Sequence, residues 1–268
     1  MTNILKASGE KDLFSEEKLL LSIQRAGIPK DLWEEAVNYV KSKLYDNIPT
    51  SEIYKNILEF LKNSPQPFSQ SRYSLKRAIM DLGPTGYPFE DFVEEIFKLQ
   101  GYETSVRQTL SGKCISHEID IIAEKDGKRS MVECKFHNNP GTKSQVHVPL
   151  YTKARFDDIK EKNNLSECWL VTNTKITSDA HDFAICSQMK VIGWDFPQEN
   201  NFRDLVGKFQ LYPITVLIGI SSGQKQQLSQ NHVVLVRDIR KNPSSLDILG
   251  LPKDKKDAVI SECQFLYG

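Results

Sequence analysis

The chain has 268 residues, of which 39% are hydrophobic and 26% charged, and its formal net charge is zero. This length and composition indicate a globular protein with one large domain or two to three ordinary ones. The charge balance excludes a strongly basic nucleic-acid binder at the level of the whole chain, so any such surface must be a local patch. The opening residues lack the apolar core of a signal peptide, and the longest apolar run, "ITVLIGI", is too short to span a bilayer. A cytoplasmic protein without a membrane partner is therefore expected.

Residues 1–84 are predicted to form a mostly helical domain. After a short hairpin with a Ser-Gly turn in "ILKASGEKDLF", a helix is expected between Ser15 as N-cap and Gly27 at its C-terminal end. "DLWEEAVNYVKSKLYD" carries an apolar stripe at helical spacing, and "TSEIYKNILEFLKN" and "SRYSLKRAIMDLG" follow as further helices. The breaker cluster "GPTGYP" predicts the first domain boundary, just before residue 87.

Residues 87–198 alternate between helix and strand signals. A helix is predicted in "FEDFVEEIFKLQ" and another in the segment that starts after Pro149. Then "ECWLVTNT" predicts a strand, "SDAHDFAICSQ" a helix and "KVIGWD" a strand, an order typical of a parallel pair joined by a crossover. The expected fold class is α/β within an α+β multidomain chain, with a mixed sheet flanked by helices.

The strongest strand signal is "HEIDIIAEKDGKRSMVECKF", residues 117–136, which predicts a hairpin with Asp126-Gly127 as a type I′ turn. In this register Asp120 faces Glu133. Strict alternation places one mostly charged set on one face of the hairpin: Glu118, Asp120, Ile122, Met131, Glu133 and Lys135. The other face is apolar and is expected to cover the core: Ile119, Ile121, Ala123, Val132, Cys134 and Phe136.

Directly opposed side chains on a hairpin have Cβ atoms about 4.5–5.5 Å apart, so Asp120 against Glu133 is a destabilising like-charge contact. A divalent cation bound between the two carboxylates would make this contact favourable. Hard oxygen ligands favour Mg²⁺ or Mn²⁺ over Zn²⁺. Lys135 is placed to orient an attacking water or to hold charge on a phosphoryl oxygen. The alternative is a solvent-exposed face of ion pairs without chemistry, such as Glu118 with Lys135.

Asp120, a short hairpin and then Glu133-Cys134-Lys135 resemble the D…(D/E)-x-K signature of the restriction-endonuclease-like PD-(D/E)XK nucleases. "FEDFVEEIFKLQGYE" and "LVTNTKITSDAHDFA" resemble the elements that flank this signature in Mrr-like restriction enzymes and archaeal junction resolvases. The resemblance covers about residues 87–196 and implies metal-dependent hydrolysis of phosphodiester bonds.

The resemblance also implies roles for particular residues. Asp120, Glu133 and the backbone carbonyl of Cys134 would ligate Mg²⁺ or Mn²⁺, and Glu90 in the preceding helix would bind the ion through water. Two of these assignments have alternatives in the sequence. Glu94 is the alternative to Glu90, and either Glu118 or His117 is the alternative that shares the role of Asp120.

Substrate binding requires positive charge near the hairpin. Residues 125–162 hold nine Lys or Arg against five Asp or Glu, a mildly basic segment that is also compatible with an ordinary solvated face. Gln145, Lys153 and Arg155 are the predicted phosphate contacts. DNA is the expected substrate, with RNA as an alternative, and analogy with nucleases that cut both strands favours a homodimer.

"ILKASGEKDLFSEEKLLLSIQRAG" resembles the opening of the ATP-cone, the nucleotide-binding regulatory module of ribonucleotide reductases. Lys6, Gly9, Phe14 and Lys18 match that module in order. Together with Lys11, the lysines are expected to converge on the triphosphate of ATP or dATP. The alternative is that they are solubility charges on a helical domain. The chain has no G-x-x-x-x-G-K-[ST] motif, so nucleotide binding is expected rather than hydrolysis.

Residues 207–268 are predicted to form a small helical C-terminal subdomain. "DILGLPKDKKDAVI" has the pattern of a helix-hairpin-helix, whose turn can hold a phosphate through backbone N–H groups, and "LIGISSGQKQQL" is a candidate second copy. A plain packing subdomain is the alternative. The whole sequence thus predicts an ATP-regulated, metal-dependent DNA endonuclease. A nucleotide-gated DNA-binding protein or repressor with an inactive nuclease fold is the second hypothesis.

Overall fold

The computed structural model describes residues 2–6, 9–83, 85–139 and 141–267. They form two compact units, one made of Met1–Ala78 with Tyr212–Gly268 and the other of Ile79–Leu211. The segment expected to form a C-terminal subdomain, residues 207–268, groups from Tyr212 onward with the N-terminal segment. Within the described ranges, no helix is both long and apolar enough to cross a membrane.

The first unit combines a small sheet with helices. The sheet has the strand order β2-β1-β3, in which β1 is antiparallel to β2 and parallel to β3. In chain order, the strands and α-helices of this unit are β1 (Asn3–Leu5), β2 (Lys11–Leu13), α1 (Glu16–Arg25), α2 (Trp33–Ser42), β3 (Ile48–Pro49), α3 (Thr50–Lys62), α4 (Ser69–Tyr73) and α5 (Leu75–Met80), then α10 (Ser222–Gln230), α11 (Val236–Lys241) and α12 (Lys253–Tyr267).

Local sequence signals explain the helix ends in this unit. The Ser15 hydroxyl accepts a hydrogen bond from the backbone N–H of Lys18, and Gly27 after the helix has a φ of +68°, as expected for α1. "SRYSLKRAIMDLG" forms two short helices instead of one, since Ser74 interrupts it and bonds the Ser71 carbonyl. The expected Ser-Gly turn of the hairpin includes Ser8, which lies outside the described residues.

A buried carboxylate organises the C-terminal part of this unit. Glu262 is fully buried and accepts hydrogen bonds from the Ser71 hydroxyl and from the backbone N–H groups of Ile218 and Gly219, at 2.6 to 3.0 Å. In the other candidate turn, the N–H of Gly250 donates to a backbone carbonyl three residues earlier. The N–H groups of both turn glycines are thus engaged by partners inside this unit.

The second unit is built on a five-stranded mixed sheet in the order β10-β8-β6-β5-β4, flanked by helices. Strands β4, β5 and β6 are antiparallel neighbours, whereas β6, β8 and β10 run parallel, which confirms the expected fold class and the parallel pair. The elements are α6 (Tyr87–Leu99), β4 (Glu103–Ser111), β5 (Ser116–Lys125), β6 (Lys128–Lys135), β7 (Lys143–Ser144), α7 (His147–Ile159), β8 (Glu167–Thr172), β9 (Lys175–Ile176), α8 (Ser178–Cys186), β10 (Lys190–Ile192) and α9 (Phe202–Lys208). Helix α7 begins before Pro149 because proline is tolerated in the first turn of a helix.

Both faces of this sheet are covered by helices. On one face α6 packs through aromatic rings, with Phe97 lying 5.4 Å from Trp169 of β8. On the other face, α7 shares an apolar cluster with residues of the central strands, among them Met131 and Leu170. Trp169 and Leu170 are neighbours in β8, so their side chains point to opposite faces and place α6 and α7 on opposite sides of the sheet.

Candidate active site

The hairpin of β5 and β6 has the predicted register. Its described pairs run from Lys125 with Lys128 to Ile121 with Val132. Asp126 and Gly127 have φ values of +52° and +72°, which is the geometry of a type I′ turn. The next positions along the two strands are Asp120 and Glu133, so the carboxylates lie where the pairing of β5 with β6 ends.

Asp120 occupies the gap that opens between the two strands. The backbone N–H of Cys134 donates to Asp120 Oδ2 at 2.7 Å, so a side-chain oxygen replaces the missing partner in the ladder. On the other side of β5, the pairs Val106 with Ile121 and Gln108 with Ile119 flank Asp120. The residue between those two β4 positions is Arg107, whose φ of +53° marks a local distortion of the strand.

The strict alternation expected along β5 is interrupted at Asp120. Ile119 belongs to the cluster on the α7 face, the same cluster that holds Ile122. His117 also points to that face, since its Nε2 lies 2.9 Å from Oδ2 of Asp158 in α7. The prediction that Ile119 shares a face with Ile121 is therefore wrong. In this structure His117 contacts Asp158 of α7, not the carboxylates of Asp120 and Glu133.

Glu133 is held by an arginine from α7. Arg155 Nη1 lies 2.6 Å from Glu133 Oε1, and its other terminal nitrogen donates to the backbone carbonyl of Glu118. The second oxygen, Glu133 Oε2, is buried and has no hydrogen-bond partner among the described residues. A buried carboxylate oxygen without a partner carries a free-energy cost that a bound cation removes.

Glu90 approaches the same site from α6. It is 8% exposed and pairs with Arg107 Nη1 at 3.2 Å, while Arg107 Nη2 lies 2.8 Å from Asp91. Glu94, one turn later, instead accepts a hydrogen bond from Thr104 and pairs with a lysine of its own helix. Glu90, not Glu94, is therefore the helical carboxylate of this site.

The pKa values of the three carboxyl groups, of Glu90, Asp120 and Glu133, are all raised. Burial, and next the charge of Asp120, raise the pKa of Glu90 to about 7 and the pKa of Glu133 to about 7. Burial also raises the pKa of Asp120, although its hydrogen bond from the Cys134 N–H acts in the opposite direction. The direction of all three shifts agrees with burial of the carboxyl groups and with repulsion between neighbouring negative charges.

Lys135 ends β6 and is exposed. The chain just beyond it is fixed by Asn173, a fully buried residue that follows β8. The His137 N–H donates to Asn173 Oδ1, and Asn173 Nδ2 donates to the His137 carbonyl, both at 2.9 Å. This paired contact extends the β6–β8 ladder by side-chain bonds and holds the end of the strand that carries Glu133 and Lys135.

Within the described chain, no three His, Cys, Asp or Glu stand in ligating geometry, but the side chains near Asp120 are hard oxygen donors of the kind that a divalent cation takes. Four carboxylates lie in this region, those of Glu90, Asp91, Asp120 and Glu133. Two guanidinium groups, of Arg107 and Arg155, pair with them. The unpartnered Glu133 Oε2 and the raised pKa values indicate a deficit of positive charge. Carboxylate oxygens suit Mg²⁺ or Mn²⁺.

The predicted phosphate contacts have different surroundings. Gln145 is exposed and lies two residues before α7. Lys153 is engaged with Asp157 of its own helix at 2.6 Å. Arg155 reaches the site but binds Glu133 in this structure. Only Arg155 of these three is in direct contact with a predicted catalytic side chain.

The residues predicted to bind a nucleotide lie in the first unit, and two of the lysines meet at one carboxylate. Lys6 and Lys18 both approach Asp12 Oδ2, at 3.1 and 3.4 Å, and Phe14 packs at the edge of the core. Gly9 has a φ of +84°, which favours glycine in the hairpin turn. Lys11 does not join the two other lysines, because neighbouring strand residues face opposite ways and its charge acts on Asp46 instead.

Three residues near the site, Arg107, Asp91 and Asn173, are not among those predicted from the sequence. Asn173 had a recognisable signal, since a polar residue at the carboxyl end of a buried parallel strand often serves a site. Asp91 follows Glu90 directly and was readable as a second carboxylate. Arg107 gave no signal, because "ETSVRQTLS" has the pattern of an ordinary strand and nothing in it indicates a positive φ.

The comparison with protein families gives two matches. The restriction endonuclease family matches residues 84–198, and a family described as AF1548-like, C-terminal, matches residues 212–267. The first match confirms the expected restriction-endonuclease-like domain.

Individual proteins give a consistent result. An uncharacterized protein of Archaeoglobus fulgidus is 36% identical over 169 residues, which are 63% of this chain and 95% of that protein. The crystal structure of AF1548, a protein of unknown function, is 33% identical with a TM-score of 0.59, and the match covers 67% of this chain and 97% of that one. Can2 from Sulfobacillus thermosulfidooxidans in complex with cyclic tetra-adenylate is 11% identical with a TM-score of 0.33, a likeness too low to carry an argument.

Proposed function

This chain belongs to the AF1548-like family and carries a restriction-endonuclease domain, and from that premise we propose that it is a metal-dependent DNA endonuclease. The observation that carries the proposal is the crowding of Asp120, Glu133 and Glu90 at the point where two strands separate. In an exposed face of ion pairs, the carboxylates would be solvated and their pKa values would stay near the ordinary range. Here the carboxylates are largely buried, their pKa values are raised, and Glu133 Oε2 has no hydrogen-bond partner among the described residues.

Each residue has a role that follows from its position. Asp120, Glu133 and the Cys134 carbonyl would hold Mg²⁺ or Mn²⁺, with Glu90 contributing through water. Such an ion supplies a more acidic water and neutralises charge on a phosphoryl oxygen. Lys135 extends from the same strand end as an exposed ammonium group, placed to stabilise the negative charge that grows on the phosphate.

The reaction is hydrolysis of a phosphodiester bond. A water oxygen forms the new bond to phosphorus while the bond to the leaving sugar oxygen breaks, and the water proton finally reaches that oxygen. A carboxylate such as Glu90, which would contact the ion only through water, can accept this proton and return it.

Plasmid DNA cleavage with Mg²⁺ tests the proposal. Glu133→Ala and Lys135→Ala are expected to slow cleavage by about 100-fold or more, because each removes a group that acts on the developing charge. Glu94→Ala and Lys128→Ala are matched controls, since Glu94 lies in the same helix as Glu90 and Lys128 at the other end of β6. Equal cleavage by the wild type and the first two variants would contradict the proposal, and DNA binding without strand breaks would favour a repressor.

We also propose that the first unit binds ATP or dATP as a regulatory ligand. Two ammonium groups, from Lys6 and Lys18, approach one oxygen of Asp12 next to a glycine turn. A triphosphate carries more negative charge than Asp12 and would compete for these lysines. Phe14, two residues after Asp12 in the chain, is partly buried and offers an apolar contact for a base.

A further inference from the structure

Two tyrosine rings are exposed beside the candidate active site. In the described part of the second unit, Tyr87 and Tyr151 are the aromatic side chains with the largest exposure, at 56% and 64%. Tyr87 begins α6 and Tyr151 lies in α7, so the rings come from helices on opposite faces of the sheet. Aromatic rings normally bury most of their surface in a fold, and two such rings at one site require an explanation.

The Tyr151 ring lies one guanidinium group away from a catalytic carboxylate. The Arg155 guanidinium stands over this ring at 5.4 Å from its centroid, and the same group pairs with Glu133 at 2.6 Å. The cation covers one ring face and fixes its orientation, while the exposure of the side chain leaves the rest of the ring open to solvent.

The Tyr87 ring repeats this arrangement on the other side. The Arg107 guanidinium lies over it at 5.6 Å and pairs with Glu90 at 3.2 Å and with Asp91 at 2.8 Å. The same three groups therefore occur on each face of the sheet: a carboxylate, a guanidinium paired with it, and an exposed tyrosine ring next to the guanidinium. In both cases the carboxylate lies near the place where β5 and β6 separate.

An open ring fixed beside a cation matches the chemistry of an unpaired nucleotide. The base stacks on the aromatic face, and the guanidinium attracts the adjoining phosphate. In a regular duplex each base is already stacked on its neighbours, so only an unstacked base presents its face to a side chain.

We propose, on the basis of the nuclease function above, that the substrate is single-stranded or locally unpaired DNA. Tyr87 and Tyr151 are the stacking platforms for bases on the two sides of the scissile phosphate. The two helices then select an unpaired strand by its accessible bases, without reading their sequence.

Binding to a labelled single strand of mixed sequence and to its duplex, in EDTA to prevent cleavage, tests this inference by fluorescence anisotropy. Tyr87→Ala and Tyr151→Ala are each expected to weaken single-strand binding about 5- to 100-fold, the range of base–aromatic stacking, with little change for the duplex. Tyr87→Phe and Tyr151→Phe keep the ring and are expected to bind like the wild type. Tyr45→Ala is the matched control, because Tyr45 is 50% exposed and belongs to the first unit.

Equal affinity of the wild type for the two DNA forms, or single-strand binding that the two alanine variants leave unchanged, would overturn the inference. If plasmid cleavage with Mg²⁺ remains dependent on Glu133 and Lys135 in that case, only the choice of substrate is wrong. If the wild type neither binds nor cuts any DNA, the nuclease function itself is wrong, and the inference falls with it.

Discussion

Glu133→Gln is expected to make the metal-free protein more stable at pH 8. The side chain of Glu133 is 17% exposed, and its pKa is raised from 4.5 to about 7 by burial and then by Asp120. One pKa unit corresponds to 1.36 kcal/mol, so keeping Glu133 ionised in the fold costs about 3 kcal/mol. Glutamine is neutral at every pH and keeps an oxygen for Arg155. The raised pKa already includes the attraction of Arg155 for the charged form, so the expected gain in the free energy of unfolding at pH 8 is about 3 kcal/mol.

The sign of the pH dependence is fixed by the direction of the shift. The pKa of Glu133 is higher in the folded than in the unfolded chain, so the folded state binds this proton more tightly. Its contribution to stability is complete below about pH 4.5 and is lost as the pH rises through 7. The advantage of the glutamine variant should therefore be absent near pH 4.5 and full at pH 8.

Urea unfolding in EDTA at pH 5 and pH 8 measures this difference, with tryptophan fluorescence as the signal, because Trp169 packs against Phe97 in the second unit. Glu124→Gln, a change at an exposed glutamate of the same hairpin, is the matched control and should leave the unfolding free energy unchanged. Excess Mg²⁺ should reverse the order, since only the wild type keeps both carboxylates for the ion. A glutamine variant that is less stable than the wild type at pH 8, or equally shifted at both pH values, would refute the reasoning.

Two further predictions concern the cation at the site and the nucleotide. In calorimetry without DNA, the Arg155→Gln variant should bind Mn²⁺ about tenfold more tightly than the wild type, because the guanidinium that competes for Glu133 is gone. The Lys153→Gln variant is the control and should bind Mn²⁺ like the wild type, since the partner of Lys153 is Asp157. Equal affinity in all three proteins would show that Arg155 does not compete with the ion. Calorimetric titration should show that the wild type binds ATP. Lys6→Ala and Lys18→Ala should weaken this binding and Lys11→Ala should leave it intact, since only Lys6 and Lys18 meet at Asp12. An equal loss of affinity in all three variants, or no binding by the wild type, would contradict a nucleotide site at this place.

Short-range chemistry in the sequence determined much of this protein. The Asp126-Gly127 step and the alternation around it set the hairpin register, which brings Asp120 and Glu133 to neighbouring positions. Ser15 and Gly27 set the ends of α1. Such features depend on a few adjacent residues and on the period of a strand or helix, so a sequence displays them directly.

The tertiary structure decided which side chains complete the site. The choice of Glu90 over Glu94, the pairing of Arg155 with Glu133, and the binding of His117 to Asp158 all join positions far apart in the chain. The same is true of the segment 212–268, which the fold assigns to the unit of the N-terminal residues. Periodicity states which face of an element a residue occupies, but the partner on the facing element depends on how helices and strands pack, and only the folded chain fixes that.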